Sequence, residues 1–311
     1  EAEAAREDGV DAVSVVTPNG LHAPVALAFI RRGIHVICDK PLATTLADAQ
    51  AMVDAVREND VVFALTHTYT GYPMVKQARA MVEDGAVGTV RKVVVSYSQG
   101  WLSQPVERQG NAQAMWRTDP LQAGAGTLAD IGSHAHNLAT YVTGLQVERL
   151  CADVRTFVEA RAVDDDANVL LRFVGGAGGV LHCSQIAAGL GNDLRLCVIG
   201  TEGTLTWNGD TRDELTVHPR EGHARLLRRG HGDLSPQAYY AARFGSSEVA
   251  DRSFANVYRN ALRTISARVE GREPSPLDLD FPTVEDGLRG VRFFFAALES
   301  GRREAWVAVE P

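Results

Sequence analysis

Cysteine is scarce in this sequence: four residues in 311, at Cys38, Cys151, Cys183 and Cys197, far apart and with no CxxC pair. That excludes a disulfide framework and a zinc-ribbon arrangement. Three of the four lie inside apolar, strand-like runs, where a free thiol behaves as a small hydrophobe, and a reduced compartment fits. Positive charge is also short, with 31 Lys and Arg against 39 Asp and Glu and a net charge of -8. Neither nucleic acid nor an anionic membrane surface finds an electrostatic anchor on such a chain. The one locally basic stretch, residues 223–231 with Arg225, Arg228 and Arg229, reads as a solvated loop. No apolar run is long enough to span a bilayer, no secretory signal is read at the start, and a cytoplasmic protein is expected. Repeats and low-complexity tracts are missing too. What remains is ordinary globular composition, 45% hydrophobic and 23% charged, at a length that suits two domains better than one.

Up to residue 88 the hydrophobic period switches regularly between two and 3.6. Strands are expected at 11–16, 34–38 and 61–66, and helices at 21–32, 45–58 and 74–83, with Gly33 and Gly85 as helix stops. Strand and helix in alternation with short links is the pattern of a parallel, Rossmann-like sheet. From residue 89 the pattern changes. A long strand at 90–99 is followed by a poorly periodic segment at 100–126, read as a lid or binding loop or as hiding a short helix, and by a helix at 127–142. Strands at 150–158, 167–174, 179–186, 194–199, 205–207 and 215–218 are separated by turn-length, glycine-marked gaps, as in a mostly antiparallel sheet. Helices at 254–270 and 283–300 and a short strand at 305–309 close the chain. The reading is thus α/β: a partial Rossmann-like domain at 1–88, then an α/β domain at 89–311 with a large open sheet.

An open parallel sheet binds ligands at the carboxyl ends of its strands. Those ends carry Thr17, Pro18 and Asn19 with His22 close behind, then Asp39, Lys40 and Pro41, then His67-Thr68-Tyr69. Singly, each tripeptide is an ordinary turn former; three on one edge point to a site. A second cluster is Asp130 and His134, four apart on one helix face, where the carboxylate would orient the imidazole and raise its basicity for acid–base work. A solvated i,i+4 pair is the plainer alternative. A metal is not expected: His136 sits roughly 200° around the helix from His134, so the two cannot face one ion. Asp164, Asp165 and Asp166 read as a solvated hairpin tip, and His35 and His182 as packed or hydrogen-bonded strand residues. Trp101, Trp116 and Arg117 in the long loop suit a sugar ring through stacking and hydroxyl hydrogen bonds, or they simply fill the loop.

These residues carry a family resemblance. Asp39-Lys40-Pro41 resembles the Glu-Lys-Pro motif of the Gfo/Idh/MocA oxidoreductases, and GTLADIGSHAHNLATYVTG at 126–144 is similar to that family's glycine-led Asp-xxx-His helix. The stretch 15–43, HTYTGYP at 67–73 and WRTDP at 116–120 are similar to it as well, so nearly the whole chain is covered. The resemblance implies an NAD(P)-dependent oxidoreductase acting on a secondary alcohol of a sugar, cyclitol or related polyol. It implies catalytic roles for Lys40, Asp130 and His134, and a cofactor lined by Thr17, Pro18, Asn19, His22, Asp39, Lys40, Pro41 and His67, with substrate beside Trp116 and Arg117. It also implies a homo-oligomer, dimer or tetramer, built through the C-terminal sheet. Two other readings share the fold: an NAD-dependent glycosidase, and a non-catalytic sugar- or cofactor-binding regulator. Asp39 stands where the family has Glu, one methylene shorter with the same charge. The family's opening strand, GxGxxG turn, helix and second strand are not among these residues. Residues 1–9 read as the tail of the following helix, and the expectation is of a record shortened at its N-terminus. The missing strand is the one that separates NAD from NADP use.

Overall fold

The computed structural model describes residue 6, residues 9–243 and residues 252–310; most of the helix tail expected at 1–9 lies outside them. The first sheet contains β1 (Ala12–Val15), β2 (His35–Cys38) and β3 (Phe63–Leu65), parallel and in that spatial order. Between them run α1 (His22–Ile30), stopped at Gly33 with φ +74°, and α2 (Leu46–Asn59). Thr45 caps α2 by accepting from the Asp48 N–H. Successive strand residues point to opposite faces. Val36, Cys38, Phe63 and Leu65 therefore enter the main core, while Ile37 and Ala64 face a second cluster with Val257, Ala261, Ile265 and Phe281. The latter belong to α8 (Arg252–Val269) and the segment after it. A helix almost two hundred residues downstream thus covers one face of the first sheet.

The second sheet has nine strands: β4 (Val90–Ser98), β5 (Val147–Arg155), β6 (Asp166–Phe173), β7 (Gly178–Ser184), β8 (Asp193–Gly200), β9 (Gly203–Asn208), β10 (Glu214–Pro219), β11 (Arg225–Arg228) and β12 (Val307–Ala308). Their spatial order is β11-β10-β9-β8-β4-β7-β6-β5-β12. Neighbours are antiparallel except β4 and β7, which run parallel and therefore end side by side. Alternate residues of each strand, such as Val93, Val95 and Tyr97 or Val169, Leu171 and Phe173, are buried against helices. These helices are α3 (Pro73–Glu83), α6 (Ser133–Thr143) and α9 (Val284–Arg303), the last opened by a reciprocal capping box between Thr283 and Asp286.

Three expectations change, and one with two alternatives is decided. Residues 223–231 are not all loop: residues 225–228 form β11, which adds to the sheet edge by antiparallel pairing with β10, and no apolar alternation in the sequence announces it. The segment 100–126 holds a short 3-10 turn, Val106–Gln109, then α4 (Ala112–Arg117) and α5 (Pro120–Ala123), the two helices capped by Asn111 and Asp119; helices this short leave little periodic trace. A further helix, α7 (Pro236–Ala242), was not foreseen. The three aspartates are not a solvated tip. Asp164 accepts from the N–H groups of Gly126 and Leu128, and Asp165 from those of Phe157 and Val158 and from Arg161. Both are buried, because each carboxylate satisfies backbone donors that the packed loops would otherwise leave unpaired.

Candidate active site

Strand ends place the first residues. Asp39 closes β2: its Oδ1 accepts from the Lys40 N–H at 3.0 Å and from the Thr66 hydroxyl at the end of β3. The Lys40–Pro41 peptide is cis. His22, almost fully buried, braces two loops, its Nδ1 2.8 Å from the Pro41 carbonyl and its Nε2 2.9 Å from that of Thr17. Asn19 donates to the Ala123 carbonyl at 3.1 Å and so ties α5 to the turn after β1. Among the described residues, the Thr17 hydroxyl oxygen is buried with no hydrogen-bond partner.

Lys40 points across to the second domain. Its Nζ donates to the Asp130 carbonyl at 2.7 Å and to Asp130 Oδ1 at 2.6 Å. Asp130 sits in a π-helical turn, Leu128–Gly132, that leads into α6. Such wide turns occur often at functional sites, and Asp164 holds the start of this one. The other Asp130 oxygen accepts from Gln185 Nε2 at 2.8 Å and lies 3.6 Å from Arg117 Nε. Burial pushes the carboxyl up, but Lys40, Arg117 and these hydrogen bonds more than offset it, and Asp130 is held below the usual carboxylate range.

The expected partnership of Asp130 with His134 is therefore corrected: the carboxylate is directed to Lys40, Gln185 and Arg117 instead. His134 Nδ1 faces His67 Nδ1 at 3.4 Å, the rings edge to face with centroids 5.2 Å apart. Nor is the imidazole made more basic. Burial, then Lys40, then His67 lower its affinity for a proton well below the ordinary histidine value, so it is neutral at pH 7. The cavity that joins Lys40, Asp130 and His134 has a volume of about 480 Å³ and is finished by Tyr97, Gln99, Trp101, Asn111, Gln113 and Arg117. Trp101 donates to Gln99 Oε1, and Gln99 donates to Asn192. Burial drives the Tyr97 phenol up to about 12, so it stays a neutral hydroxyl. Amides and a phenol offer both donors and acceptors, as a polyhydroxylated ligand needs.

Two stretches match family descriptions: residues 2–67 an oxidoreductase family with an NAD-binding Rossmann fold, and residues 75–206 the GFO/IDH/MocA C-terminal domain. A solved oxidoreductase from Sinorhizobium meliloti is 41% identical, with TM-score 0.87, over 98% of this chain and 81% of that one. An inositol dehydrogenase homolog from Azotobacter vinelandii, complexed with NADH and myo-inositol, is 32% identical with TM-score 0.86, over 99% of this chain and 80% of its own. Levoglucosan dehydrogenase of Pseudarthrobacter phenanthrenivorans is 29% identical over 96% of this chain and 80% of its own length. The chain belongs to the Gfo/Idh/MocA family. Relatives in this family are NAD(P)-dependent dehydrogenases acting on sugar CH–OH groups.

Within this Gfo/Idh/MocA chain the structure gathers Lys40, Asp130, His134 and Arg117 into one cavity. His67 lies behind His134 and is 2% exposed. Trp116 stands beside the cavity, its ring 4.1 Å from the Arg117 guanidinium carbon, and thereby braces that arginine. Asp39, Asn19 and His22 hold the turns that present Lys40. Gln185, Tyr97 and Gln99 were not anticipated. They stand at the ends of β7 and β4, the parallel pair. The rule that ligands gather at parallel strand ends would have found them, had the pairing been readable.

Proposed function

We propose that this chain is an NAD- or NADP-dependent dehydrogenase that reversibly oxidises a secondary hydroxyl of a neutral sugar or cyclitol. The supporting observation is a Lys40 ammonium fixed by Asp130 beside a neutral, buried His134 in one amide-rich cavity. The turns after β1 and β2 suit the cofactor: the orphaned, buried Thr17 oxygen awaits a partner there, and Thr17, Lys40 and Pro41 would hold it. When bound, the nicotinamide ring accepts or returns the hydride. His134, uncharged, takes the hydroxyl proton, and Lys40 stabilises the oxygen as negative charge develops on it. Asp130 keeps Lys40 in place. Trp101 offers a ring face and Gln113 and Asn111 their amides to the remaining hydroxyls. Arg117, drawn to Asp130, closes the rim.

The test is turnover of the protein on myo-inositol, levoglucosan and D-xylose with NAD and with NADP, beside His134→Ala and Lys40→Ala. His134→Ala should lower kcat by about 10²–10⁴-fold, and Lys40→Ala by about 10²-fold or more, with circular dichroism unchanged. Unaltered turnover in both variants would refute the assignment. Free sugar released from an aryl glycoside with no net NADH would instead identify a glycosidase.

A further inference from the structure

Resting on that reading of His134 as the proton-exchanging group, we propose that His67 is a positioning residue that sets the tautomer of His134 and so keeps its cavity-facing nitrogen free to act as the base. The geometry is specific. His67 follows β3 and opens a 3-10 turn (Thr68–Gly71). Its backbone is pinned: its N–H donates to the Leu65 carbonyl, and its own carbonyl accepts from the Thr70 hydroxyl at 2.9 Å and the Thr70 N–H at 3.3 Å. The ring is buried, 2% exposed. Its Nδ1 meets His134 Nδ1 at 3.4 Å. Tyr69 and Tyr97 close the flank of His134, with the Tyr69 ring edge-on at 5.1 Å between centroids.

Two facing Nδ1 atoms can share one proton but not two or none. With two, the N–H groups would collide; with none, two buried acceptors would be left unsatisfied. Burial, Lys40 and His136 keep His67 neutral, its proton affinity lowered to about 3, and His134 is neutral as well. The pair therefore has two arrangements. In one, His67 Nδ1 is bare, His134 Nδ1 carries the proton and His134 Nε2 is free to accept the substrate hydroxyl proton. In the other, His67 Nδ1 carries the proton, His134 Nδ1 is bare and His134 Nε2 carries the hydrogen. Only the first can take the hydroxyl proton: Nε2 gains it while Nδ1–H stays hydrogen-bonded to His67 Nδ1, and His134 becomes an imidazolium; the second has no bare cavity-facing nitrogen left to act as base. In the reverse direction that imidazolium returns the same proton from Nε2, so no further donor is needed. His67 itself touches neither substrate nor reacting atoms.

Nitrogen-15 spectra of histidine-labelled protein read the tautomer directly. His134 in the resting protein should show a protonated Nδ1 and a bare Nε2, identified by the signals lost in His134→Ala. In His67→Leu the His134 signals should move to an averaged or inverted tautomer. In that variant kcat should fall about tenfold or more while KM and the NADH dissociation constant stay within about twofold. His67→Gln, whose amide can present either oxygen or NH₂ to Nδ1, should recover most of kcat. If His134→Ala is inactive but His67→Leu keeps both the His134 tautomer and kcat, the inference is overturned while the role of His134 stands. If His134→Ala retains full activity, it is the underlying reading that fails. Loss of kcat in His67→Leu with an unchanged His134 tautomer, or with no recovery in His67→Gln, would leave only a packing role and also overturn it.

Discussion

Single side chains in this molecule are specialised by burial. His67, His134 and His136 are all buried, and in each desolvation lowers the proton affinity, to about 3 in His67 and His136 and well below the usual value in His134. Unfolding exposes them to water, where they titrate near 6.5. Below that pH the unfolded chain binds more protons than the native one. Their contribution to stability is therefore complete above about pH 6.5 and is lost progressively as pH falls toward 3, approaching about 1.4 kcal/mol per pH unit for each histidine. Urea unfolding at pH 7, 6 and 5 should show a falling midpoint, and His136→Leu should flatten the slope by about one proton. A midpoint that does not move between pH 7 and 5 would contradict this. At the same scale, Lys40, Asp130 and His134, grouped by the family resemblance, line one cavity. The sequence misdirected Asp130, because a spacing of four on a helix says which residues share a face but not which cation lies opposite. His35 and His182 are hydrogen-bonded in their strands, to the Val62 N–H and to Asn168, as their apolar settings suggested.

At the scale of elements, the π-turn carrying Asp130 depends on Asp164, thirty-four residues later. The Asp164 carboxylate is the acceptor for Gly126 and Leu128. A Cβ on Gly126 would come within 1.8 Å of the Asp164 carbonyl oxygen, so glycine is required for the close approach. Asp164→Ala should leave two buried N–H groups unpaired and cost about 2–5 kcal/mol. It should also lower kcat by loosening Asp130. Denaturation together with steady-state kinetics would check both, and an unchanged midpoint would count against the role. Most strands and long helices were legible from periodicity, and their ends moved by only a few residues. The helices α4 and α5 were legible only as one alternative for residues 100–126, and α7 not at all, since one or two turns do not establish a 3.6 period. The buried aspartates were misread for a related reason: three adjacent charges look solvated until the backbone donors around them are known.

At the scale of the whole molecule, the outer face of the nine-stranded sheet carries a continuous cross-strand row. Cys151, Leu170, Val180, Val94 and Cys197 are successive register partners, followed by Thr206, Thr216 and Leu226. Leu170 is 51% and Leu226 48% exposed, and the residues between them are half-buried. An antiparallel sheet tolerates water on one face when that face is polar; here its middle is apolar. We propose that this face pairs with a second copy of the chain, giving a dimer or tetramer. Sedimentation should show the oligomer, and Leu170→Lys should shift it toward monomer by setting a charge at the centre of the row. A wild-type monomer at micromolar concentration would exclude this interface.

Sequence alone determined the alternation of elements, the change from a parallel to a mostly antiparallel sheet, and the side chains at the first three strand ends. Each of these is written in local period or in a short motif. Only the tertiary structure decided that β4 and β7 run parallel, so that Gln99 meets Gln185 and Gln185 reaches Asp130, that a late helix covers the first sheet, and that His67 stands behind His134. Those facts depend on which distant segments become neighbours, and that is settled by the burial of whole faces, to which each residue contributes too little to be read singly.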